Sequence, residues 1–312
     1  MSTFEYEIRN RWNLNRHIIL GCGYVGQLLL RRLAELTDAP PAPPLGVARH
    51  QATLAAIAAA GGEPLQLDLD SDALDALPSA GTRLFHFAPP PADGREDPRT
   101  ARLIEHFERH GHPQRLLYIS TTGVYGDCAG AWVDESWPLR PTAARSERRV
   151  DAERRLQAWA TASGADLIIL RVAGIYASDR LPLERLRQGA PMVKAEQAPW
   201  SNRIHAEDLV EICLAALQRA PAGAIYNVCD GHPSSMTDYF LQVAAAADLP
   251  PPPLIDLEEA SEQLSAGMLS YLRESRRLDN QRLRTELGIE LRYPNLAAGL
   301  SAVRAQHADA RA

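Results

Sequence analysis

The first residues along this chain with readable chemistry are the glycines of Gly21-Cys22-Gly23-Tyr24-Val25-Gly26. Their G-x-G-x-x-G spacing suits a turn that holds phosphate. Backbone N–H groups at a helix start, here Tyr24 and Val25, face an anion with the positive end of the helix dipole behind them. Gly21 permits a tight exit from the strand. Gly23 lets backbone approach a pyrophosphate with no Cβ in the way, and Gly26 lets the helix pack close to the sheet. A purely structural turn is the alternative, since any strand-to-helix glycine turn can match the pattern. The context the motif requires is present, because apolar Ile18-Ile19-Leu20 precedes it and Val25 to Leu30 follows.

Three strand ends further along add to this. The second strand closes with Val47-Ala48-Arg49-His50, where a dinucleotide fold meets the adenosine ribose. An acidic residue there would hold the 2′-hydroxyl and repel a 2′-phosphate. Arg49 does the opposite, since a guanidinium matches phosphate in charge and in bidentate geometry. It points to NADP rather than NAD; the alternative is a surface arginine. The third strand ends Leu67-Asp68-Leu69-Asp70. Asp68 either accepts from the adenine amino group or caps the next helix. The fourth runs into Ala88-Pro89-Pro90-Pro91, a stiff loop whose small Ala88 suits backbone passing close to a cofactor.

These positions must be held by strands and helices in alternation. Apolar runs predict strands at 17–20, 45–48, 64–67, 83–87, 115–119 and 166–171, with helices at 25–36, 51–60, 100–110 and 146–162. Several strands are continuous apolar runs, as in a parallel sheet covered on both faces. The pattern predicts an α/β fold, a doubly wound parallel sheet of the Rossmann kind. A dinucleotide-binding domain is expected over 16–175 and a smaller, mostly helical substrate domain over 176–312, with strand 224–228 returning to the sheet. The second domain should wall the carboxyl edge of the sheet and set specificity between Ala177 and Arg203 and in its C-terminal helices. Its predicted helices are 182–188, 207–219, 237–247 with Thr237 or a neighbour as cap, 280–287 and 296–305. Pro250 to Pro253 is read as ending the third of these, and the prolines at 40, 41, 43 and 44 as a stiff loop.

The chain has 312 residues and a formal net charge of -6, with 46% hydrophobic residues. That share supports a sizeable core, and the charge argues against nucleic acid as partner. The densest basic run, Arg145 to Arg155, is interleaved with acids and reads as a solvated helix face. Cys22, Cys128, Cys213 and Cys229 show no C-x-x-C spacing, so no metal or redox dithiol is expected. Residues 1–15 read as a short charged extension unlike a signal peptide, and no apolar run approaches the ~20 residues of a membrane span. A reducing, cytoplasmic setting is the expectation.

Tyr118-Ile119-Ser120-Thr121-Thr122-Gly123-Val124-Tyr125-Gly126 resembles the S-S/T-x-x-V-Y-G stretch of the extended short-chain dehydrogenase/reductase superfamily, in its NAD-dependent epimerase/dehydratase branch. Further pieces match in order: Asp134-Glu135 with Pro138 and Pro141, Leu170-Arg171 through Tyr176, Ile204-His205 through Asp208-Leu209, and Tyr226-Asn227-Val228. The resemblance spans about residues 16–300. The G-C-G-Y-V-G turn and the F-A-P-P strand end are most similar to the atypical group that includes the bacterial YeeZ-type proteins. The resemblance implies an oxidoreductase or epimerase acting on a small molecule. It also implies a homodimer pairing through the helix of Arg145 to Ala162.

One departure stands out. The superfamily's catalytic pair is a tyrosine and a lysine spaced Y-x-x-x-K on one helix face. Counted back from Ala152-Glu153, those positions hold Arg145 and Arg149. Arg149 could still hold ribose hydroxyls as a fixed cation, whereas Arg145 cannot serve as a base near neutral pH. Thr121 falls where the resemblance places the hydroxyl that binds a substrate oxygen. Tyr125 and His205 are the remaining candidates for proton transfer, each with a structural alternative. Asp134 and Glu135 are expected to fix the loop before the helix. Thr121-Thr122-Gly123 also lacks the Thr-Asp-Glu of sugar-nucleotide dehydratases, which argues against that reaction. The two readings of the whole are an NADP-dependent oxidoreductase or epimerase with a degenerate pair, and a non-catalytic NADP sensor or partner-binding protein.

Overall fold

The computed structural model describes residues 16–36 and 42–304. The expected extension at 1–15, Pro40 and Pro41 of the proline loop, Ala305 at the end of the last expected helix, and 306–312 lie outside the described residues.

Seven strands form one parallel sheet: β1 (His17–Leu20), β2 (Leu45–Ala48), β3 (Glu63–Gln66), β4 (Arg83–His86), β5 (Arg115–Thr121), β6 (Leu167–Val172) and β7 (Ile225–Val228). Their order across the sheet is β7-β6-β5-β4-β1-β2-β3. Chain direction across the sheet reverses between β1 and β4, the switch point where ligands of such sheets bind. Register is set by β1, whose Ile18 pairs Leu45 on one side and Leu84 on the other. All four residues of β1 and all six of β6 are buried. That is why both read as unbroken apolar runs rather than alternating ones.

The helices α1 (Tyr24–Leu36), α2 (Gln51–Ala59), α3 (Pro98–His110), α4 (Ala144–Ser163) and α5 (Ala206–Arg219) alternate with these strands. Helix α1 buries Gly26, Leu29, Leu30, Leu33 and Leu36, a stripe at helical spacing. Helix α3 starts at Pro98, two residues before its predicted start. Asp97 caps it, accepting from the N–H groups of Arg99 and Thr100, and proline fits the first helical position. Helix α4 is not the solvated face expected from its basic run. Ser146, Arg148, Val150, Ala152, Glu153, Leu156 and Trp159 are buried, and Arg148 donates to the Gly94 carbonyl at 2.7 Å.

The chain forms two compact units that interleave along the sequence. The described residues of the first lie within Met1–Thr121, Ala144–Arg171 and Leu209–Ile225; those of the second lie within Thr122–Ala143, Val172–Asp208 and Tyr226–Ala312. In the first, a buried Arg171–Glu153 ion pair (2.8 Å) accepts a third group, the Ser120 hydroxyl on Glu153 Oε1 at 2.5 Å. This clamp ties β5, α4 and β6 together.

The second unit carries helices and pairs of short strands. Trp132–Val133 pairs with Arg277–Leu278, and Gly174–Tyr176 with Arg203–His205. Its longest helix wholly within the unit, Met236–Ala246, is capped by Ser235, with the Ser235 hydroxyl and the Asp238 carboxylate each accepting the other's backbone N–H. The proline run does not end it, contrary to expectation. The helix stops at Ala247, and Asp248 turns the chain at φ 54°, two residues before Pro250.

Candidate cofactor site

The turn after β1 is stitched to β2. The N–H groups of Gly21 and Cys22 both donate to the Val47 carbonyl (3.1 and 2.9 Å), and Gln27 N–H donates to Gly23 C=O at 2.8 Å as α1 begins. Gly21 sits at φ +84°, and a Cβ there would lie 2.4 Å from the Ala88 nitrogen. The fold therefore demands glycine at 21. Gly26 is favoured by packing, since a Cβ would crowd Ile19 Cγ2 at 3.0 Å. Gly23 is different: an added Cβ would have nothing within 4 Å. Among the described residues, no contact requires glycine at 23, and the space before it is open. That is the shape a pyrophosphate needs from its backbone cradle, so these residues fit a dinucleotide.

Around this turn lies a cavity of about 210 Å³ at the carboxyl ends of β1, β2 and β4. It is lined by Leu20, Gly21, Cys22, Gly23, Val47, Ala48, Arg49, His50, Thr53, Leu67, Leu69, Ala88, Pro89 and Arg99. Four of the residues read from sequence meet here: Gly21, Gly23, Arg49 and Ala88. Tyr24, Val25 and Gly26 form the first turn of α1 beside them. Arg49 is half-exposed, its Nη1 3.8 Å from Asp68 Oδ2 and 4.0 Å from Asp70 Oδ2. Asp68 also shapes its own turn, accepting from Asp70 N–H through Oδ1 at 3.0 Å. Its Oδ2 is the oxygen turned toward Arg49.

Arg99 was not legible as a site residue. It is buried, and its Nε and Nη2 donate to the two oxygens of Asp70 at 2.6 and 2.5 Å, while Nη1 donates to the Pro89 carbonyl at 2.6 Å. Arg99 holds the Asp70 carboxyl below the usual carboxylate range, with smaller help from Arg49 and Arg102. The sequence signature Asp97-Pro98 marks the helix start, but nothing local says that the next side chain reaches the third strand's end.

The other candidates separate into two sets. Thr121, the last residue of β5, is half-buried, as are Arg145 and Arg149 on the first two turns of α4. Arg149 Nη1 donates to the Tyr118 hydroxyl (3.0 Å) and to the Ile119 carbonyl (2.7 Å), which fixes the guanidinium against β5. Burial pushes the Tyr118 phenol up to about 12, with Arg149 pulling the other way. His86, whose ring centroid is 5.0 Å from that of Tyr118, is fully buried. Desolvation first, then the Arg149 and Arg99 charges, push it down to about 3.

Tyr125 is fully buried in the second unit, and its hydroxyl donates to Asn227 Oδ1 at 2.7 Å. Its burial and this bond match the structural alternative at this position. Its role is structural: Asn227 in turn donates to the Val133 carbonyl (3.0 Å), and Glu135 accepts from Asn227 N–H at 2.7 Å. Asp134 accepts from both the N–H and the hydroxyl of Ser136. His205 is buried between Tyr176 and Tyr293, its Nδ1 accepting from Glu207 N–H at 3.3 Å, and burial lowers its pKa.

Residues 18–229 match the model of the NAD dependent epimerase/dehydratase family. The chain belongs to this family. A conserved protein of Silicibacter pomeroyi, described as functionally unknown, is similar in structure at 35% identity and a TM-score of 0.79, covering 94% of this chain and 99% of that one. A UDP-glucuronic acid 4-epimerase from Bacillus cereus, solved in complex with NAD, shares the fold at 16% identity and a TM-score of 0.72, over 92% of this chain and 96% of that one. Among curated proteins, human dTDP-D-glucose 4,6-dehydratase is 24% identical over 123 residues. That match takes in 37% of this chain and only 35% of the human protein. Among the described residues, no helix is long and apolar enough to cross a membrane.

Proposed function

We propose that this chain binds a nicotinamide dinucleotide on the Gly21–Gly26 turn and acts as an NADP-dependent oxidoreductase or epimerase-like protein whose Tyr–Lys pair is degenerate. The observation that carries the proposal is Gly23, a glycine that no packing contact among the described residues requires, facing open space beside a cavity that ends in an arginine. The family and the NAD-bound solved relative support the nicotinamide class; Arg49 supports the 2′-phosphate.

The roles follow from the chain's own groups. The first N–H groups of α1 take the pyrophosphate. Arg49 takes the 2′-phosphate, and Asp68 accepts from the adenine amino group. The cavity's 210 Å³ is below the ~300 Å³ floor of whole-ligand pockets, so it suits one end of a dinucleotide. Arg149 holds ribose hydroxyls with the N–H groups left after Tyr118 and Ile119 are served. Thr121 orients a substrate oxygen. When bound, the nicotinamide supplies hydride transfer. Arg145 contributes charge but no proton, since a guanidinium stays protonated at neutral pH. That fact favours the second reading, a dinucleotide sensor without turnover.

A small-molecule substrate, a homodimer formed through α4 and a cytoplasmic setting complete the proposal. The four cysteines, each buried and unpaired, suit a reducing compartment. Titration of the purified chain with NADPH and NADH, followed by cofactor fluorescence, tests the binding half. Saturable binding with NADPH the tighter is the expected result, and no saturable binding of either refutes it. Consumption of NADPH with any member of a carbonyl panel separates the enzyme from the sensor.

A further inference from the structure

The cofactor cavity holds a second arginine that the glycine turn and strand ends do not explain. Asp70 is shared between two guanidinium groups. Arg99 grips both its oxygens at 2.6 and 2.5 Å, while Arg49 Nη1 stands off at 4.0 Å. The two cations differ in exposure, since the Arg49 side chain is 49% exposed and that of Arg99 is 10% exposed. Asp68 is the second carboxylate near Arg49, at 3.8 Å.

We propose that Arg99 is a specificity-determining positioning residue: by neutralising Asp70 it leaves Arg49 available for the 2′-phosphate of NADP. The inference rests on the NADP reading of Arg49 and extends it. With Arg49, Arg99, Asp68 and Asp70 all present, the cluster is neutral and its exposed member is a cation. With Arg99 removed, the cluster carries a net negative charge, and Arg49 faces two carboxylates with only the weaker pull of Arg102 beside it on Asp70. A negative strand end is the electrostatic condition that holds ribose hydroxyls and repels a 2′-phosphate. Asp70 is ionised at neutral pH, and Arg99 holds its carboxyl lower still, so its neutralisation comes from the cation and not from a proton. A direct grip of Arg99 on the pyrophosphate is the competing role. It would serve NADPH and NADH alike, because both carry that group.

The test uses the full chain with NADPH and NADH as probes, titrated by fluorescence, with a thermal melt of every variant. Arg99→Met is expected to lower the preference for NADPH over NADH about tenfold, the effect of one uncompensated carboxylate in a half-exposed site. NADH affinity should change less than about threefold, within the range of an exposed-charge effect. Adding Asp70→Asn to Arg99→Met should restore the preference. Asp70→Asn alone keeps Arg99 in place and should raise the preference, so the inference is testable even where Arg99→Met fails to fold. Equal loss of both cofactors in Arg99→Met overturns it, as does failure of the double variant to recover or a fall in preference in Asp70→Asn. A wild type that binds neither cofactor overturns the cofactor reading itself, and one that binds both equally overturns the Arg49 reading and this inference with it. A wild type that prefers NADPH, beside an Arg99→Met that keeps the preference, overturns this inference alone.

Discussion

Gly23→Val separates binding from folding at a single atom position. The structure supplies the magnitude on both sides. Against folding, an added Cβ meets nothing within 4 Å, and the backbone there is not left-handed. The residual cost is that of a poor residue at the start of α1, about 1 kcal/mol at most. A melt should therefore move by about 2–4 °C. Against binding, two methyl groups stand where the pyrophosphate must approach, and the backbone cradle is lost as a unit. We expect NADPH affinity to fall by at least about 100-fold, or ~2.7 kcal/mol. Gly21→Val is the contrasting control. It combines a φ of +84° with a 2.4 Å approach to the Ala88 backbone, so it should cost several kcal/mol, more than the ~1–2 kcal/mol of a left-handed residue alone. Circular dichroism melts and cofactor titrations on the same samples give the answer. Normal NADPH affinity in Gly23→Val would refute the placing of phosphate at this turn. A collapsed melt in Gly23→Val would show that packing, not a ligand, explains the glycine.

Arg49→Ala should cut the NADPH preference by roughly 10- to 150-fold, the worth of a charge-assisted contact of about 1.5–3 kcal/mol; equal affinities for the two cofactors in the wild type would sink it. Arg171→Met leaves Glu153, which is fully buried, without its cation, and should cost about 3–5 kcal/mol in urea unfolding. A loss under 1 kcal/mol would show that Ser120 alone satisfies Glu153. His86 is neutral in the fold with its pKa near 3, against 6.5 when unfolded. The native state thus binds fewer protons below pH 6.5 and loses stability as pH falls from 6.5 toward 3, by about 2 kcal/mol at pH 5. His86→Phe should flatten that slope, and an unchanged acid limb would refute the assignment. Arg145→Tyr with Arg149→Lys should gain measurable NADPH oxidation on a generic carbonyl, more than either single change, because the pair acts as a unit. Brisk wild-type turnover unaffected by Arg145→Ala would place the proton elsewhere.

The sheet was legible because parallel strands buried on both faces leave continuous apolar runs, as in Ile18-Ile19-Leu20 and Leu167 to Leu170. The glycine turn was legible because its spacing between an apolar strand and a helix start is local, although the clash that demands Gly21 comes from distant Ala88. What stayed hidden depends on residues far apart in the chain. Trp132–Val133 pairs with Arg277–Leu278 over only two residues each, too short for any periodicity to register. Tyr125 looked available until Asn227, 102 positions away, proved to take its hydroxyl in a buried site. Arg99 looked like an ordinary residue in a helix's first turn, and its meaning comes from Asp70 on another element. The start of helix Met236–Ala246 was missed by a single residue, because Ser235 and Thr237 are both able caps and only geometry chooses between them.

The division between enzyme and sensor turns on one proton. Binding a dinucleotide here is largely a backbone property: a turn, a helix start and open space before Gly23. Such a site survives many side-chain changes. Proton transfer is the reverse, resting on one titrating group at one position. The clamp of Glu153 by Arg171 and Ser120 ties α4 to β5 and β6. Arg149 is further anchored to β5 through Tyr118 and Ile119. A permanent cation at 145 can still stabilise a negative substrate oxygen. It cannot deliver the proton that quenches that oxygen. Wild-type catalysis would therefore form an alkoxide that takes its proton from solvent, and its rate should rise with the acidity of the alcohol formed across a carbonyl series. A rate that follows no such trend would place an unrecognised acid in the protein; no rate at all leaves the dinucleotide as a bound signal.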